Sequence, residues 1–182
     1  LPLGSEPRAQ VGAALFGRII DGSGRPLDNG PRIATSAFWP LEAAVGNPLR
    51  RSSVTRPIDV GVRAINGLLT LGLGQRARIT AGSGVGKSVL LGMMMRNVTA
   101  DVVVVALIGE RGREISDFVA SQLDDVARAR TIIVAVAADE APLLRVRGVM
   151  RATAIAEYFR SLGRSVVLIV DSLTRVAHAQ RE

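Results

Sequence analysis

The chain has 182 residues, of which 48% are hydrophobic, so it is long enough to bury a sizeable core as one domain or one domain with an appendage. It contains no cysteine, and its longest apolar run, residues 102–109, is far shorter than the roughly 18 residues that a membrane-spanning helix needs. We therefore expect a cytoplasmic protein without disulfides. The formal net charge is +7, but the arginines are scattered and aromatic residues make up only 3% of the chain. This composition argues against a nucleic-acid-binding surface.

Residues 1–55 differ in amino-acid composition from the rest of the chain. They are rich in Gly, Pro, Asn and Ser and carry turn signals at 21–31 and 46–48. This pattern predicts loops and short strands rather than a core. From Arg56 onward, apolar runs alternate with amphipathic stretches, so residues 56–182 are predicted to form the main folding unit.

Predicted strands and helices alternate along residues 56–182. The strands are predicted from short apolar runs, the last three with the composition of strands buried on both faces of a sheet, at 76–81, 101–109, 130–138 and 165–171. The helices are predicted at 86–97, around the helically spaced Ile115, Phe118, Val119 and Leu123, from Pro142 to about Gly163, and at 173–182. This order predicts an α/β fold with a mostly parallel sheet and helices on both faces.

The stretch AGSGVGKSVL, residues 81–90, contains Lys87, the only lysine of a chain whose other basic residues are all arginine. A glycine-rich turn between a strand and a helix directs backbone N–H groups toward a polyphosphate, and the helix N-terminus adds positive potential. The compact ammonium of Lys87 suits the β and γ phosphates better than a wide guanidinium does, and Ser88 supplies a hydroxyl for Mg²⁺. The residues predicted to bind the nucleotide are Gly82, Ser83, Gly84, Val85, Gly86, Lys87, Ser88 and Val89. The alternative is a glycine-rich turn that only packs a helix on a strand.

Asp171 ends a predicted buried strand, at the edge where open α/β sheets bind their ligands. An aspartate there can hold Mg²⁺, the role of the Walker B position in phosphate-loop enzymes. The alternative is an aspartate that caps the helix beginning near Leu173. With a phosphate loop upstream, we favour the metal role.

The sequence GERGRE, residues 109–114, also follows a predicted buried strand. Glu110 is placed to polarise a water for attack on the γ phosphate, while Arg111 or Arg113 could neutralise charge in the transition state. The alternative is a capping and ion-pair arrangement at a helix start.

Several of these stretches together resemble the type III secretion and flagellar protein-export ATPases, relatives of the catalytic subunit of rotary ATP synthases. The resemblance runs from about Leu15 to the last residue and rests mainly on the phosphate loop, GERGRE, APLLRVRGVMRATAIAEYFRSLGRSVVLIVDSLTR and AQRE. It implies a RecA-like P-loop NTPase core that binds ATP and Mg²⁺ between neighbours in a homohexameric ring. The stretch 15–31 resembles the end of the family's N-terminal β-barrel, so residues 1–55 are predicted to be the end of that barrel and a linker.

The resemblance also implies roles for individual residues. The matching positions are Lys87 and Ser88 for phosphate and Mg²⁺, Glu110 for the catalytic glutamate, Asp171 for the Walker B aspartate, and Arg111 and Arg175 for motif arginines near the γ phosphate. The implied function is ATP hydrolysis that releases chaperones and unfolds substrates at an export gate. The implied partners are export-gate proteins, stalk-type proteins and chaperone–effector complexes, and the implied location is peripheral to the cytoplasmic face of the bacterial inner membrane.

The chain also departs from the family pattern. Val176 stands where family members commonly have an aromatic residue, and His178, the only histidine, stands where they commonly have methionine. We interpret His178 as a packing or surface residue, since no metal-binding partners lie near it in sequence. The family's later core strands, arginine finger and C-terminal domain are not found in these 182 residues, so weak nucleotide binding and poor hydrolysis are expected of this chain alone.

Three other functions stay open on the sequence alone. One is the catalytic subunit of an ion-translocating rotary ATPase, which shares the mechanism. Another is a Rho-type RNA translocase, since DSLTRVAHA is also similar to that enzyme. The third is a non-catalytic remnant that keeps the nucleotide-binding fold but only binds partners.

Overall fold

A computed structural model describes residues 7–42, 46, 47, 49, 51–82 and 84–182. The strands in chain order are β1 (Arg8–Val11), β2 (Ile19–Ile20), β3 (Ala37–Pro40), β4 (Val102–Glu110), β5 (Thr131–Ala137) and β6 (Val166–Asp171). The helices are α1 (Arg63–Leu68), α2 (Lys87–Asn97), α3 (Gly112–Gln122), α4 (Asp125–Arg128), α5 (Pro142–Ser161) and α6 (Leu173–Ala179), with a short 3₁₀ helix at Ala13–Leu15.

Four strands form a parallel sheet in the order β2-β5-β4-β6. The central strand β4 is buried along almost its whole length, as its β-branched composition requires. Because all neighbours are parallel, the carboxyl ends of β4, β5 and β6 lie at one edge of the sheet, and the loops that carry the predicted site leave from this edge. The predicted α/β class with a mostly parallel sheet is confirmed.

Helices cover both faces of the sheet. Alternate residues of β4 point to opposite faces: Val104 and Ala106 pack in the core with Ile155 of α5, whereas Val103 and Val105 pack in a second core with α2 and α3. This layering explains why β4 and β5 need continuous apolar runs rather than an alternating pattern.

The predicted boundaries of α2 and α5 agree with the structure to within two residues, whereas α6, predicted at 173–182, ends at Ala179. Pro142 occupies the first turn of α5, and the chain after the helix turns at Gly163, whose φ of +79° favours glycine. Helix α2 begins at Lys87, directly after the glycine-rich turn. The local signals of proline, glycine and apolar spacing were sufficient for these elements.

Two predictions about strands were wrong. Residues 76–81 form no strand, and all six are exposed, because no strand in the described part of the chain hydrogen-bonds to them. Strand β6 was expected to be buried on both faces, but Leu168 is 36% exposed. The cause is its position at the edge of the described sheet, where it has a neighbour on one side only.

The N-terminal segment contributes to the core, contrary to the sequence prediction of loops without a core. Strands β1 and β3 pair antiparallel, as short strands were expected to do, but Ala9, Val11 and Leu15 are buried in the same cluster as α5. Strand β2 joins the main sheet beside β5. The prediction failed because turn-forming composition describes the loops of this segment and not the few apolar residues between them.

Among the described residues, no helix has both the length and the apolar composition needed to cross a membrane.

Candidate functional site

The glycine-rich turn leads directly into the first turn of α2. Gly84 and Gly86 have φ angles of +77° and +94°, a left-handed conformation that other residues rarely adopt. Around Gly82, Gly84 and Gly86 there is open space where a Cβ atom would lie. No side chain among the described residues caps the start of α2. The first N–H groups of this helix are therefore available to an anion.

Lys87 and Asp171 form an ion pair across the site. Nζ of Lys87, the first residue of α2, lies 2.5 Å from Oδ1 of Asp171, the last residue of β6. The Asp171 side chain is only 7% exposed, and that of Lys87 is 29% exposed. The structure thus brings together two predicted site residues that are 84 positions apart in sequence.

Glu110 and Arg175 form a second ion pair at the same edge of the sheet. Nη1 of Arg175 in α6 lies 2.9 Å from Oε2 of Glu110 and also donates to the backbone carbonyl of Gly109. The pairing of β4 with β5 is irregular between Ile108 and Glu110, so the strand has a bulge here. Bulges redirect side chains near functional sites. Here the bulge lies where β4 presents Glu110 to Arg175.

The environment of Glu110 changes its acidity. Burial and the adjoining Glu114 carboxyl raise the pKa of Glu110 to about 7, although the Arg175 guanidinium acts in the opposite direction. The same contact with Glu110 lowers the pKa of Glu114. A carboxyl group that titrates near neutral pH is suited to accept a proton from water.

A cleft between α2, α3 and the ends of β4 and β6 contains the carboxylates Glu110, Glu114 and Asp171, whereas Lys87 and Arg175 lie beside it and contact it through their ion pairs. It is lined by Ser88, Val89, Leu107, Glu110, Glu114, Ile115, Asp117, Phe118, Ser121, Gln122 and Asp171. Glu114 and Asp117 were not predicted from the sequence as site residues. The available signal was their spacing on the predicted helix that follows Glu110, since residues three apart lie on one face of a helix.

The donor set at this cleft fits Mg²⁺. Ser88 and Asp171 offer hard oxygen donors from two elements, and Mg²⁺ is usually held by one or two carboxylates together with substrate phosphates. Among the described residues, no group of three or more His, Cys, Asp or Glu could hold a metal alone. Two oxygen donors from different elements fit a site in which Mg²⁺ would take its other ligands from a polyphosphate.

Other predicted site residues lie outside this arrangement or outside the described residues. The side chain of Arg111 is 83% exposed and lies 3.6 Å from Glu114, so it does not join the pair of Arg175 and Glu110. Its role near the γ phosphate stays a prediction. Val85 is exposed, and Ser83 lies outside the described residues.

Gly109 is expected to be essential for the contact between Arg175 and Glu110. Its φ is +72°, and a Cβ atom at this position would lie 2.9 Å from Cδ and 3.0 Å from Cβ of Arg175. We expect Gly109→Ala to lower the free energy of unfolding by about 1–2 kcal/mol from backbone strain alone and to displace Arg175. Urea denaturation measures the first effect.

Gly112→Ala is the matched control, since Gly112 begins α3 in the same motif and no atom lies within 4 Å of its Cβ position. This control should change stability by less than about 0.5 kcal/mol. Equal stability of the two variants would contradict the role given to Gly109.

Comparison with known proteins places these features in a family. Residues 61–182 match the model described as the ATP synthase alpha/beta family, nucleotide-binding domain. The chain is 50% identical over 182 residues to the flagellum-specific ATP synthase of Pseudomonas aeruginosa, covering 100% of this chain and 40% of that relative. It is 54% identical over 180 residues to the flagellum-specific ATP synthase of Salmonella typhimurium, covering 99% of this chain and 40% of the relative. The type 3 secretion system ATPase of Xanthomonas euvesicatoria is 46% identical over 180 residues, covering 99% of this chain and 41% of that relative.

Solved structures agree with the sequence relatives. The assembled ATPase EscN in complex with its central stalk EscO, from the type III secretion system of enteropathogenic E. coli, aligns with a TM-score of 0.92 and 47% identity, covering 98% of this chain and 44% of that chain. A prototypical ATPase from the type III secretion system of pathogenic bacteria aligns with a TM-score of 0.90 and 45% identity, covering 96% of this chain and 50% of that chain.

The resemblance to the type III secretion and flagellar export ATPases is confirmed by these matches. The chain spans about two fifths of the length of the curated relatives it matches. The family model matches well over half of the chain, including the glycine-rich turn and the residues of both ion pairs. The chain therefore belongs to the ATP synthase alpha/beta family, and its residues 61–182 belong to the nucleotide-binding domain of that family.

Proposed function

We propose that the chain binds Mg²⁺·ATP in the cleft and is part of an enzyme that hydrolyses ATP. The observation that carries this proposal is the convergence of Lys87, Glu110, Asp171 and Arg175 at the carboxyl edge of a parallel sheet. These groups supply a cation for phosphate, a carboxylate for metal, a base for water and a second cation. Fixed charges of this kind are the main requirement of phosphoryl transfer.

Each residue has a defined part in this proposal. The N–H groups at the start of α2 and the ammonium of Lys87 bind the β and γ phosphates. Ser88 and Asp171 would hold Mg²⁺, which would supply further positive charge at the site. Glu110 accepts a proton from the attacking water. Arg175 holds the Glu110 carboxylate in position and lies within reach of the same cleft.

We further propose that the enzyme powers type III protein export. Relatives described as flagellum-specific ATP synthases and as a type 3 secretion system ATPase support this assignment, as does the similarity to EscN in complex with a central stalk. The proposal includes a homohexamer with a stalk-type partner, export-gate proteins and chaperone–effector complexes as further partners, and a peripheral position at the cytoplasmic face of the inner membrane.

We propose a division of the chain into two parts, the second of which contains the residues 61–182 that match the family model. Residues 56–182 are the N-terminal part of a RecA-like ATP-binding core, and residues 1–55 are the end of a β-barrel domain with its linker. The short antiparallel pair of β1 and β3 supports the second assignment. The burial of Leu15 and Ile20 in the main core means that the linker is packed against the ATP-binding core.

Lys87→Ala is expected to remove Mg²⁺·ATP binding by the 182-residue chain. Lys87 is the only lysine, and loss of its ammonium leaves the polyphosphate and the buried Asp171 without their shared counter-charge. Isothermal titration of folded protein with Mg²⁺·ATP measures the loss, which we expect to be at least about 10²-fold in affinity. Phosphate release is followed in the same samples.

Arg160→Ala is the control for this titration, because Arg160 is exposed in the last turn of α5 and does not line the cleft. It should bind Mg²⁺·ATP as the unmodified chain does. If a folded unmodified chain fails to bind Mg²⁺·ATP, or if Lys87→Ala binds equally well, the proposed nucleotide site is wrong.

A further inference from the structure

The two residues that carry the strongest charges for phosphate and metal are paired with each other. Nζ of Lys87 lies 2.5 Å from Oδ1 of Asp171, and the Asp171 side chain is 7% exposed. A buried carboxylate without a partner is strongly destabilising, so Asp171 needs either this ammonium or another cation. Lys87 is therefore not a free cation waiting for phosphate.

The surrounding charges make Asp171 depend on Lys87. Glu110, Glu114 and Asp117 line the same cleft, so the carboxylates near Asp171 outnumber the cations that contact them. The Arg175 guanidinium is already held by Glu110 at 2.9 Å, and the exposed Arg111 lies 3.6 Å from Glu114. If Lys87 turns to a polyphosphate, Asp171 loses its counter-charge and faces further negative charge.

A Mg²⁺ ion held by Asp171 would supply two positive charges to this carboxylate. Asp171 would then keep a cationic partner when Lys87 leaves it. A polyphosphate without metal offers no such replacement, and like charges placed side by side are costly. The ion pair therefore weakens binding of the metal-free polyphosphate but not binding of its Mg²⁺ complex.

We propose that Asp171 makes this site selective for metal-complexed over metal-free nucleoside polyphosphate by holding Lys87 until a cation replaces it. This inference rests on the proposed function, because it assumes that the polyphosphate binds at Lys87. It adds to the proposed metal-binding role of Asp171 a second role that acts in the absence of metal. Removing the charge of Asp171 would release Lys87 and would also relieve direct repulsion between Asp171 and the phosphates, so the side-chain signal of Lys87 is measured as well to tell these two effects apart.

The test compares titrations with ATP in excess EDTA and with Mg²⁺·ATP. The unmodified chain should bind Mg²⁺·ATP and should bind ATP in EDTA at least about tenfold more weakly. Asp171→Asn, which keeps the size of the side chain and removes its charge, should bind ATP in EDTA at least about tenfold more tightly than the unmodified chain does. Its affinity for Mg²⁺·ATP should not rise.

Asp117→Asn is the matched control. Asp117 lines the same cleft but is exposed and does not contact Lys87. A gain in affinity for ATP in EDTA with Asp171→Asn and not with Asp117→Asn supports the inference. Equal gains would show that any carboxylate of the cleft weakens this binding and would overturn the inference. If the unmodified chain binds Mg²⁺·ATP but Asp171→Asn does not gain, only this inference fails. If the folded unmodified chain does not bind Mg²⁺·ATP, the proposed function fails as well.

A second measurement needs no variant at Asp171 and therefore does not depend on how that variant folds. Because Lys87 is the only lysine, labelling with ¹³Cε-lysine gives one side-chain signal from the chain. We expect Mg²⁺·ATP to move this signal and ATP in EDTA at the same concentration to leave it in place. Equal movement by both ligands would show that Asp171 does not withhold Lys87 and would overturn the inference.

Discussion

Replacing Glu110 with glutamine is expected to slow ATP hydrolysis by about 10²- to 10⁴-fold while Mg²⁺·ATP binding is retained. The amide cannot accept a proton from the attacking water, but it keeps the size of the side chain and can still accept a hydrogen bond from Arg175. Turnover is best measured in a chimera in which this chain replaces the matched segment of the Pseudomonas aeruginosa relative, to which it is 50% identical over 182 residues. The chimera without substitution gives the reference rate.

The pH dependence of turnover tests the same role. Because the pKa of Glu110 is raised to about 7, this group is mostly protonated in the folded protein below pH 7 and cannot act as a base there. The rate should rise as pH increases through about 7 and then level off, and Glu110→Gln should lack this rise. The free energy of unfolding should change in the opposite direction to the rate. A carboxyl group whose pKa is raised in the folded state stabilises that state at low pH, and this contribution is lost as pH rises through about 7.

Glu140→Gln is the control for charge, since Glu140 is an exposed glutamate of the loop after β5 and does not line the cleft. Its turnover should equal that of the unmodified chimera at every pH. If Glu110→Gln hydrolyses ATP at more than a tenth of the reference rate, Glu110 is not the base.

Phe159→Ala is expected to lower the free energy of unfolding by about 3–5 kcal/mol. Phe159 is 4% exposed on α5, and its ring centroid lies 5.0 Å from that of Phe16. The substitution leaves a cavity between α5 and the N-terminal segment, because Phe16 and Leu15 pack against the same cluster. Urea denaturation followed by circular dichroism measures the loss.

Leu162→Ala is the comparison, since Leu162 lies just beyond α5 and is 58% exposed. Its effect on stability should be below about 0.5 kcal/mol. A Phe159→Ala protein that unfolds at the same urea concentration as Leu162→Ala would show that the N-terminal segment is not held by this packing.

The sequence predicted the elements that depend on local signals. The apolar runs of β4 and β5, the proline that begins α5 and the glycine-rich turn before α2 each carry a physical requirement that is visible within a few residues. The positions of Lys87 at the start of α2 and of Asp171 at the end of β6 were predicted in the same way, whereas their phosphate and metal roles stay predictions.

What the sequence did not predict depends on contacts between distant residues. Whether residues 76–81 become a strand is decided by a partner strand and not by their own composition. The pairing of Lys87 with Asp171 joins positions 84 apart, and that of Arg175 with the Gly109 carbonyl joins positions 66 apart. Nor could spacing within GERGRE tell which arginine contacts Glu110, since the answer comes from α6.

The parallel pairing of β2 with β5 affects how the chain folds as it is synthesised. Ile19 and Ile20 leave the ribosome early, but their hydrogen-bonding partners Ile133 and Val134 follow only after β4, α3 and α4 have been made. Throughout that interval the apolar side chain of Ile20, which is fully buried in the finished protein, has no place in the sheet. Closing so large a loop also costs chain entropy before any contact is gained. Strand β2 is therefore made well before β5 but can reach its final position in the sheet only after β5 has formed.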